Sequence, residues 1–223
     1  MIFLKASSSL SGPYDDIQTP AGVELLDYEV EIGVVLRRDV SAAESITDAN
    51  VGDFIAGVTL CNDVSARDVM FGAGFMQWYR GKSYRGFCPT GPLLYLLARS
   101  EVAAALTSLT ITLDLNGERR QTGSSAQFIH KPGDTVAELS SLMDLRRGDM
   151  ILTGTPGGVI AQGSPAIMGI LREHLLNDAA RREQFTAEMQ KSAKFLQPGD
   201  VLNLSIRDEG AGIDLGGQES RIC

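Results

Sequence analysis

One short acidic stretch constrains this chain more than any other part of its 223 residues. Residues 26–36 read Leu-Asp-Tyr-Glu-Val-Glu-Ile-Gly-Val-Val-Leu, and strand alternation places apolar side chains on one face and Glu29 and Glu31 on the other. Two unpaired carboxylates in a protein interior are costly, and a hard divalent cation removes that cost because it prefers carboxylate oxygens. The stretch therefore predicts either a metal site or a half-exposed antiparallel strand with an acidic polar face.

A candidate for a third carboxylate ligand follows a second apolar run. Residues 54–61 are apolar and bounded by polar residues, which is typical of a central strand. The run ends at Asn62-Asp63, and helical signals follow. Asp63 thus lies where a buried strand gives way to a helix, which is a frequent position for a functional carboxylate.

The remaining pattern predicts a mainly β protein with a few helices, in the α+β class. Residues 109–115 alternate apolar with polar and run into Asn116-Gly117, a strong hairpin signal. Residues 2–4 are predicted to form a first short strand. Between about residues 164 and 195, charged and apolar residues recur at helical spacing, which indicates two surface helices inserted into a β-rich body. We expect one domain over residues 1–223.

Composition excludes several classes of function. The net charge of −8, with no basic stripe, argues against nucleic acid or an anionic membrane as the main partner. Cys61, Cys88 and Cys223 are too few and too irregular for a disulfide framework or a thiolate zinc site, which favours a cytoplasmic location. Lys5 interrupts the apolar start, so no signal peptide is expected. No run approaches the roughly 18 apolar residues of a membrane span.

Five motifs occur together in one order along the chain. They are Glu29-x-Glu31, Asn62-Asp63-Val64-Ser65-Ala66-Arg67-Asp68, Gly81-Lys82-Ser83, Cys88-Pro89-Thr90-Gly91-Pro92 and Leu152-Thr153-Gly154-Thr155-Pro156-Gly157-Gly158. In this order they closely resemble the fumarylacetoacetate hydrolase family, over nearly the whole chain. The resemblance implies a mixed β-sandwich roll of antiparallel sheets and a homodimer. It also implies a divalent metal, with Mg²⁺ first and Mn²⁺ or Ca²⁺ as alternatives.

The resemblance also implies roles for the acidic and basic residues of these motifs. Glu29, Glu31 and Asp63 would hold the metal and leave positions open for substrate oxygens. Lys82 would place a second positive charge at the developing oxyanion, unless it is a solvated loop lysine. Lys5 would reach the pocket from the first strand.

Other motif residues would bind substrate or support the site. Thr155, in a turn with free backbone N–H groups at Gly154 and Gly157, would hold the substrate carboxylate. Without the resemblance, this turn is an ordinary one. Arg67 and Asp68 would support the metal site, or would simply pair with each other.

One departure from the family concerns the base that activates water. Hydrolytic members carry a histidine and a glutamate upstream of the Phe-Leu-Lys segment, and the start at Met1 predicts that this segment is absent. His130 is predicted to be a structural loop residue. Glu173 and His174 are predicted to lie on a surface helix. The alternative is that the insertion folds over the pocket and these two residues replace the missing pair.

The expected function follows from the resemblance. It is a cytoplasmic, metal-dependent hydrolase that cleaves a carbon–carbon bond in a small β-diketo or acylpyruvate-type 2-oxo acid, similar to fumarylacetoacetate or fumarylpyruvate, in aromatic compound catabolism. A metal-dependent decarboxylase, isomerase or hydratase of a related 2-oxo acid is the alternative, because it needs Lys82 and the metal but no water-activating histidine. A third possibility, of another class, is a catalytically silent metal-binding subunit or a truncated product.

Overall fold

The computed structural model describes residues 1–42, 44–72 and 74–223. Its strands are β1 (Leu10–Ser11), β2 (Leu26–Asp27), β3 (Val30–Leu36), β4 (Ile55–Asn62), β5 (Ser65–Ala66), β6 (Cys88–Leu96), β7 (Thr110–Leu115), β8 (Glu118–Ser124), β9 (Met150–Leu152), β10 (Val201–Asp208) and β11 (Ile213–Arg221). Its α-helices are α1 (Arg67–Gly72), α2 (Trp78–Lys82), α3 (Val102–Ala105), α4 (Pro132–Leu142), α5 (Pro165–Glu173) and α6 (Asp178–Ser192).

Two curled sheets form the body of the protein. One has the strand order β1-β6-β4-β3-β9, the other has the order β11-β10-β7-β8, and β2 pairs separately with β5. The pairs are antiparallel except for β1 with β6. The predicted mainly β, α+β fold of antiparallel sheets is confirmed. The predicted first strand at residues 2–4 is wrong, because that segment has no regular structure and Leu4 is exposed.

Strand β3 lies in the interior of its sheet, between β4 and β9. Its apolar side chains, including Ile32 and Val34, join a core that also contains Leu113 and Leu204 from the facing sheet. Because both of its faces are covered, the prediction of a half-exposed strand with a solvated acidic face is wrong. Burial of β3 is what makes its acidic residues chemically significant.

Two buried glutamines tie the sheets together. The side-chain amide of Gln218 in β11 donates to the carbonyl oxygens of Leu60 at 2.9 Å, Pro89 at 3.1 Å and Gly91 at 2.9 Å. Gln121 in β8 accepts from the backbone N–H at the start of β3. Buried backbone groups need hydrogen-bond partners, and these amides supply them where no strand pairs.

The predicted helical insertion is confirmed as α5 and α6. The Ser164 hydroxyl accepts from the Ile167 N–H at the start of α5, and the Asn177 side chain caps α6 in the same way. Phe185 of α6 packs in a small core with Leu25, which lies just before β2. The insertion therefore covers the side of the molecule where β2 and α1 lie. Among the described residues, no helix is both long and apolar enough to cross a membrane.

Candidate metal and active site

Three predicted carboxylates meet where β3 begins and β4 ends. Glu29 lies directly before β3, Glu31 is its second residue, and Asp63 follows β4, whose Asn62 pairs with Val30. The Asp63 N–H donates to the Glu29 carbonyl at 2.8 Å. One carboxylate oxygen from each of the three residues lies within 4.8 Å of the others. The antiparallel pairing thus brings together residues that are more than thirty positions apart.

The three carboxylates are removed from water, with exposures of 8% for Glu29, 3% for Glu31 and 1% for Asp63. Burial, and then the charges of Asp63 and Glu29, raise the pKa of Glu31 well above its usual value. The Gly154 N–H donates to the Glu31 carboxylate at 2.7 Å and acts in the opposite direction. Three convergent carboxylates are a hard oxygen donor set, and they fit Mg²⁺, Mn²⁺ or Ca²⁺.

Lys82, at the end of α2, is part of this cluster. Its ammonium group donates to Glu29 at 2.8 Å and to Asp63 at 2.5 Å, and the residue is 1% exposed. Burial disfavours its charge, but the carboxylates of Asp63 and Glu29 outweigh that effect and raise the pKa of Lys82. The alternative of a solvated loop lysine is therefore wrong. Lys82 carries a fixed positive charge inside the acidic cluster.

Lys5 also reaches the cluster. Its ammonium group donates to Asp63 at 2.6 Å and lies 3.4 Å from the Val64 carbonyl oxygen. The residue belongs to the irregular segment before β1 and not to a strand, so the predicted contact is present while the predicted element is not. Asp63 is consequently held between two ammonium groups.

Arg67 holds the side chain of Glu29, the first candidate metal ligand, in place. Its guanidinium donates to Asp27 at 2.9 Å and to Glu29 at 2.5 Å. Asp68, the next residue in α1, instead accepts from Arg182 of the insertion at 2.7 Å. The alternative in which Arg67 and Asp68 pair with each other is wrong, because the two side chains contact different parts of the molecule.

Sequence reasoning missed two residues that organise the site. Asp27 accepts from the backbone N–H groups of Ile160 and Ala161 as well as from Arg67. It precedes Glu29 by two positions, so the alternation that singled out the glutamates also pointed to Asp27. Gln121 contacts the site from β8, and no local signal in its surroundings could have revealed that.

The turn after β9 supports the acidic strand. The Thr155 hydroxyl donates to the Val30 carbonyl at 2.9 Å and accepts from the Gln121 amide at 2.8 Å. The Gly154 N–H is engaged by Glu31, so the prediction of a free N–H at this position is wrong. The turn holds the metal-ligand candidates in place, and a substrate carboxylate at Thr155 stays a prediction.

The second proposed acid–base pair lies at the end of α5. Glu173 is exposed, and His174 is half-buried with a buried Nε2 that has no hydrogen-bond partner. Within residues 1–42, 44–72 and 74–223, no hydrogen bond or ion pair joins either residue to the carboxylate cluster. His130 lies in an exposed loop before α4. The hypothesis that Glu173 and His174 replace a missing base therefore gains no support from these contacts.

The sequence profile of the fumarylacetoacetate (FAA) hydrolase C-terminal family matches residues 1–222. The chain belongs to this family. Its members are enzymes that typically use a divalent metal, which agrees with the buried acidic cluster. The mitochondrial oxaloacetate tautomerase Fahd2a of Rattus norvegicus is 39% identical over 159 residues, which cover 71% of this chain and 49% of the relative. The chain thus spans about half the length of the curated relatives it matches.

Solved structures extend the likeness to the whole chain. A probable 2-hydroxyhepta-2,4-diene-1,7-dioate isomerase from Mycobacterium abscessus is 32% identical with a TM-score of 0.77, and the match covers 100% of this chain and 69% of that one. Fumarylacetoacetate hydrolase from Exiguobacterium antarcticum is 30% identical with a TM-score of 0.73, covering 99% and 65%. Proteins named as an isomerase and as a hydrolase share this fold, so the fold alone does not select the reaction.

Proposed function

We propose that this chain is a metal-dependent isomerase that interconverts the enol and keto forms of a small 2-oxo dicarboxylate. The observation that carries the proposal is the buried cluster of Glu29, Glu31 and Asp63 with Lys82, to which neither histidine is joined among the described contacts. Tautomerisation needs a polarised oxygen and a proton transfer, but no activated water. The names of the rat tautomerase and the Mycobacterium abscessus isomerase support this choice over hydrolysis.

The proposed roles follow the charges of the cluster. Glu29, Glu31 and Asp63 hold the divalent metal, with Mg²⁺ as the first choice and Mn²⁺ or Ca²⁺ as alternatives. When bound, the ion supplies Lewis-acid charge to the 2-oxo and enolate oxygens of the substrate. Lys82 adds a preorganised positive charge near the oxygen that becomes negative, and Arg67 keeps Glu29 in place.

The reaction is balanced without a co-reactant. The enol O–H proton leaves and the adjacent carbon gains a proton, while the C–O single bond becomes C=O and the C=C bond becomes a C–C single bond. Lys5 and the Thr155 turn are the proposed contacts for the substrate carboxylates, because Lys5 brings an ammonium group to the edge of the cluster.

Hydrolysis of an acylpyruvate-type acid is the second candidate. The observation that favours it is the 30% identity to the Exiguobacterium antarcticum hydrolase over 99% of this chain. A hydrolase also needs a general base for water, and Glu173 with His174 is the only pair of residues that we propose for that role.

Turnover assays separate these candidates. The purified chain is given Mg²⁺ or Mn²⁺ with enol-oxaloacetate and, separately, with acylpyruvates. Loss of the enol absorbance faster than in buffer, with total oxaloacetate unchanged, is the expected result. Pyruvate with a second acid would mean hydrolysis, and CO₂ release would mean decarboxylation. Retained metal binding with no turnover on any substrate would contradict an enzymatic role for this chain alone.

We also propose a homodimer in the cytoplasm. Light scattering is expected to give twice the chain mass of 23.9 kDa. A mass equal to one chain would contradict the dimer.

A further inference from the structure

A cavity with both apolar and polar walls is lined by residues other than those of the carboxylate cluster. It has a volume of about 150 Å³ and is bounded by α1, α2, α6 and the loop at Gly22. A water molecule occupies roughly 30 Å³ of liquid volume, so the cavity can take a ligand of several non-hydrogen atoms. Its polar walls are Asp68, Arg80, Tyr84 and Arg182.

Asp68, the one acidic residue in the cavity lining, already has hydrogen-bond donors within the protein. The Asp68 carboxylate is fully buried and accepts from the Glu24 N–H at 3.3 Å, the Leu25 N–H at 3.3 Å and Arg182 at 2.7 Å. A carboxylate with three donors has little capacity left for a cation. Its charge is also balanced by that of Arg182, so Asp68 does not make the cavity negative.

Of the remaining polar residues in the lining, Arg80 and Arg182 carry a positive charge, and Tyr84 contributes a neutral hydroxyl. Arg182 uses a single terminal nitrogen for its contacts with Asp68 and the Gly22 carbonyl oxygen. Arg80 has no hydrogen bond or ion pair with any residue in the described part of the chain. Two arginines with uncommitted guanidinium N–H groups therefore line the cavity, and the charged residues of its lining sum to a net positive charge.

We propose that this cavity binds a small oxyanion, either a phosphate or a carboxylate, between Arg80 and Arg182. A guanidinium presents parallel N–H donors that match the oxygens of both groups, and two guanidiniums facing one cavity favour such a ligand over a neutral one. The site differs from the carboxylate cluster, because none of Glu29, Glu31, Asp63 and Lys82 lines this cavity.

The ligand would connect the insertion to the catalytic region. Arg182 belongs to α6, and Arg80 lies in α2 two residues before Lys82. An anion held by both arginines fixes the distance between these helices. Its binding to the folded state also raises the thermal stability of the protein by mass action.

Calorimetric titration of the full metal-free chain tests the proposal without any turnover, so its outcome is independent of the proposed reaction. Inorganic phosphate and malonate are titrated separately, at an ionic strength fixed with sodium chloride. We expect saturable binding of one anion per chain. The anion that binds with the lower Kd identifies the ligand as phosphate-like or carboxylate-like.

Substitutions then locate the bound anion. Arg80→Gln is expected to weaken binding at least tenfold, and its fold should be unaffected because the side chain is exposed and has no partner among the described residues. Arg182→Gln should also weaken binding at least tenfold, but it removes the cationic partner of the buried Asp68 and is expected to lower stability as well, so Arg80→Gln is the deciding variant. Arg172→Gln, on the exposed side of α5, is the matched control and should leave affinity unchanged. No saturable binding, or binding lost in Lys82→Met but retained in Arg80→Gln, would overturn the proposal.

Discussion

Among the buried carboxylates of the candidate site, Glu31 differs in having no ion-pair partner among the described residues. Asp27 and Glu29 are paired with Arg67, Glu29 and Asp63 with Lys82, and Asp63 also with Lys5. In the described part of the chain, the Glu31 carboxylate accepts a hydrogen bond from the neutral backbone N–H of Gly154. Burial and the like charges of Asp63 and Glu29 raise the pKa of Glu31, so this is the carboxylate that a bound dication would stabilise most.

Glu31→Gln should have opposite effects on metal binding and on the metal-free fold. The metal affinity falls at least tenfold, because one hard anionic ligand is lost. The metal-free protein keeps or gains thermal stability, because a buried carboxyl without a cationic partner is replaced by a neutral group of the same shape. Titration of Mn²⁺ by calorimetry and thermal melts in EDTA measure the two effects. Glu173→Gln on the exposed end of α5 is the control, and an unchanged Mn²⁺ affinity in Glu31→Gln would refute the ligand assignment.

Lys82→Met tests the proposed electrostatic role of the lysine. Removing a preorganised positive charge from a buried site typically lowers turnover by about 10²–10³-fold. Metal affinity should change much less than kcat, because the carboxylates remain. Lys194→Met removes an exposed lysine and serves as the control. If the loss lies entirely in metal affinity, Lys82 only organises the carboxylates.

At the scale of secondary-structure elements, helix α6 packs unusually close to α1. A Cβ on Gly72, the last residue of α1, would lie 3.0 Å from the Arg182 Cα and 2.8 Å from its Cγ. Since α1 also carries Arg67, the insertion is packed directly against an element that braces Glu29. The glycine permits this close approach.

Gly72→Ala should therefore destabilise the protein by about 1–3 kcal/mol, the usual cost of overpacking. The matched control is Gly169→Ala within α5, where an added Cβ meets nothing within 4 Å. There alanine should stabilise the protein by up to about 1 kcal/mol through helix propensity. Urea denaturation of both variants measures the difference. Equal midpoints for Gly72→Ala and the wild type would show that α6 does not pack on α1 as described.

At the scale of the whole molecule, polar side chains join the two sheets where no strand pairing exists. Gln218 is 2% exposed and satisfies carbonyl oxygens of both β4 and β6 from the opposite sheet. Backbone carbonyls left without partners in the interior each cost about 1–3 kcal/mol. Gln218 therefore both packs between the two sheets and supplies hydrogen bonds to carbonyl groups of the opposite sheet.

Gln218→Met keeps the approximate size of the side chain and removes the amide. We expect a loss of about 1–3 kcal/mol in the free energy of unfolding, because the three carbonyl groups that share the two N–H donors of the amide lose them. Gln190→Met on the exposed side of α6 should change stability by less than about 0.5 kcal/mol. Calorimetric melts give both values, and a shift for Gln218→Met no larger than that of the control would contradict the account.

Much of the fold and of the candidate site could be predicted from local sequence patterns. The alternation of acidic residues, the apolar run before Asp63 and the helical spacing of residues 164–195 each depend on neighbours in sequence, and each corresponds to an observed feature. The prediction of a strand at residues 2–4 failed, because an apolar triplet adopts a strand only when another strand is available to pair with it.

The sequence alone determined that this chain belongs to a mainly β enzyme family and that its acidic residues could gather at the start of one buried strand. Only the tertiary structure decided which cation meets which acid. Lys5 contacts Asp63 across 58 positions, and Arg182 contacts Asp68 across 114. Such pairs are selected by the packing of distant elements and the need to satisfy each buried charge, and no local pattern records that selection.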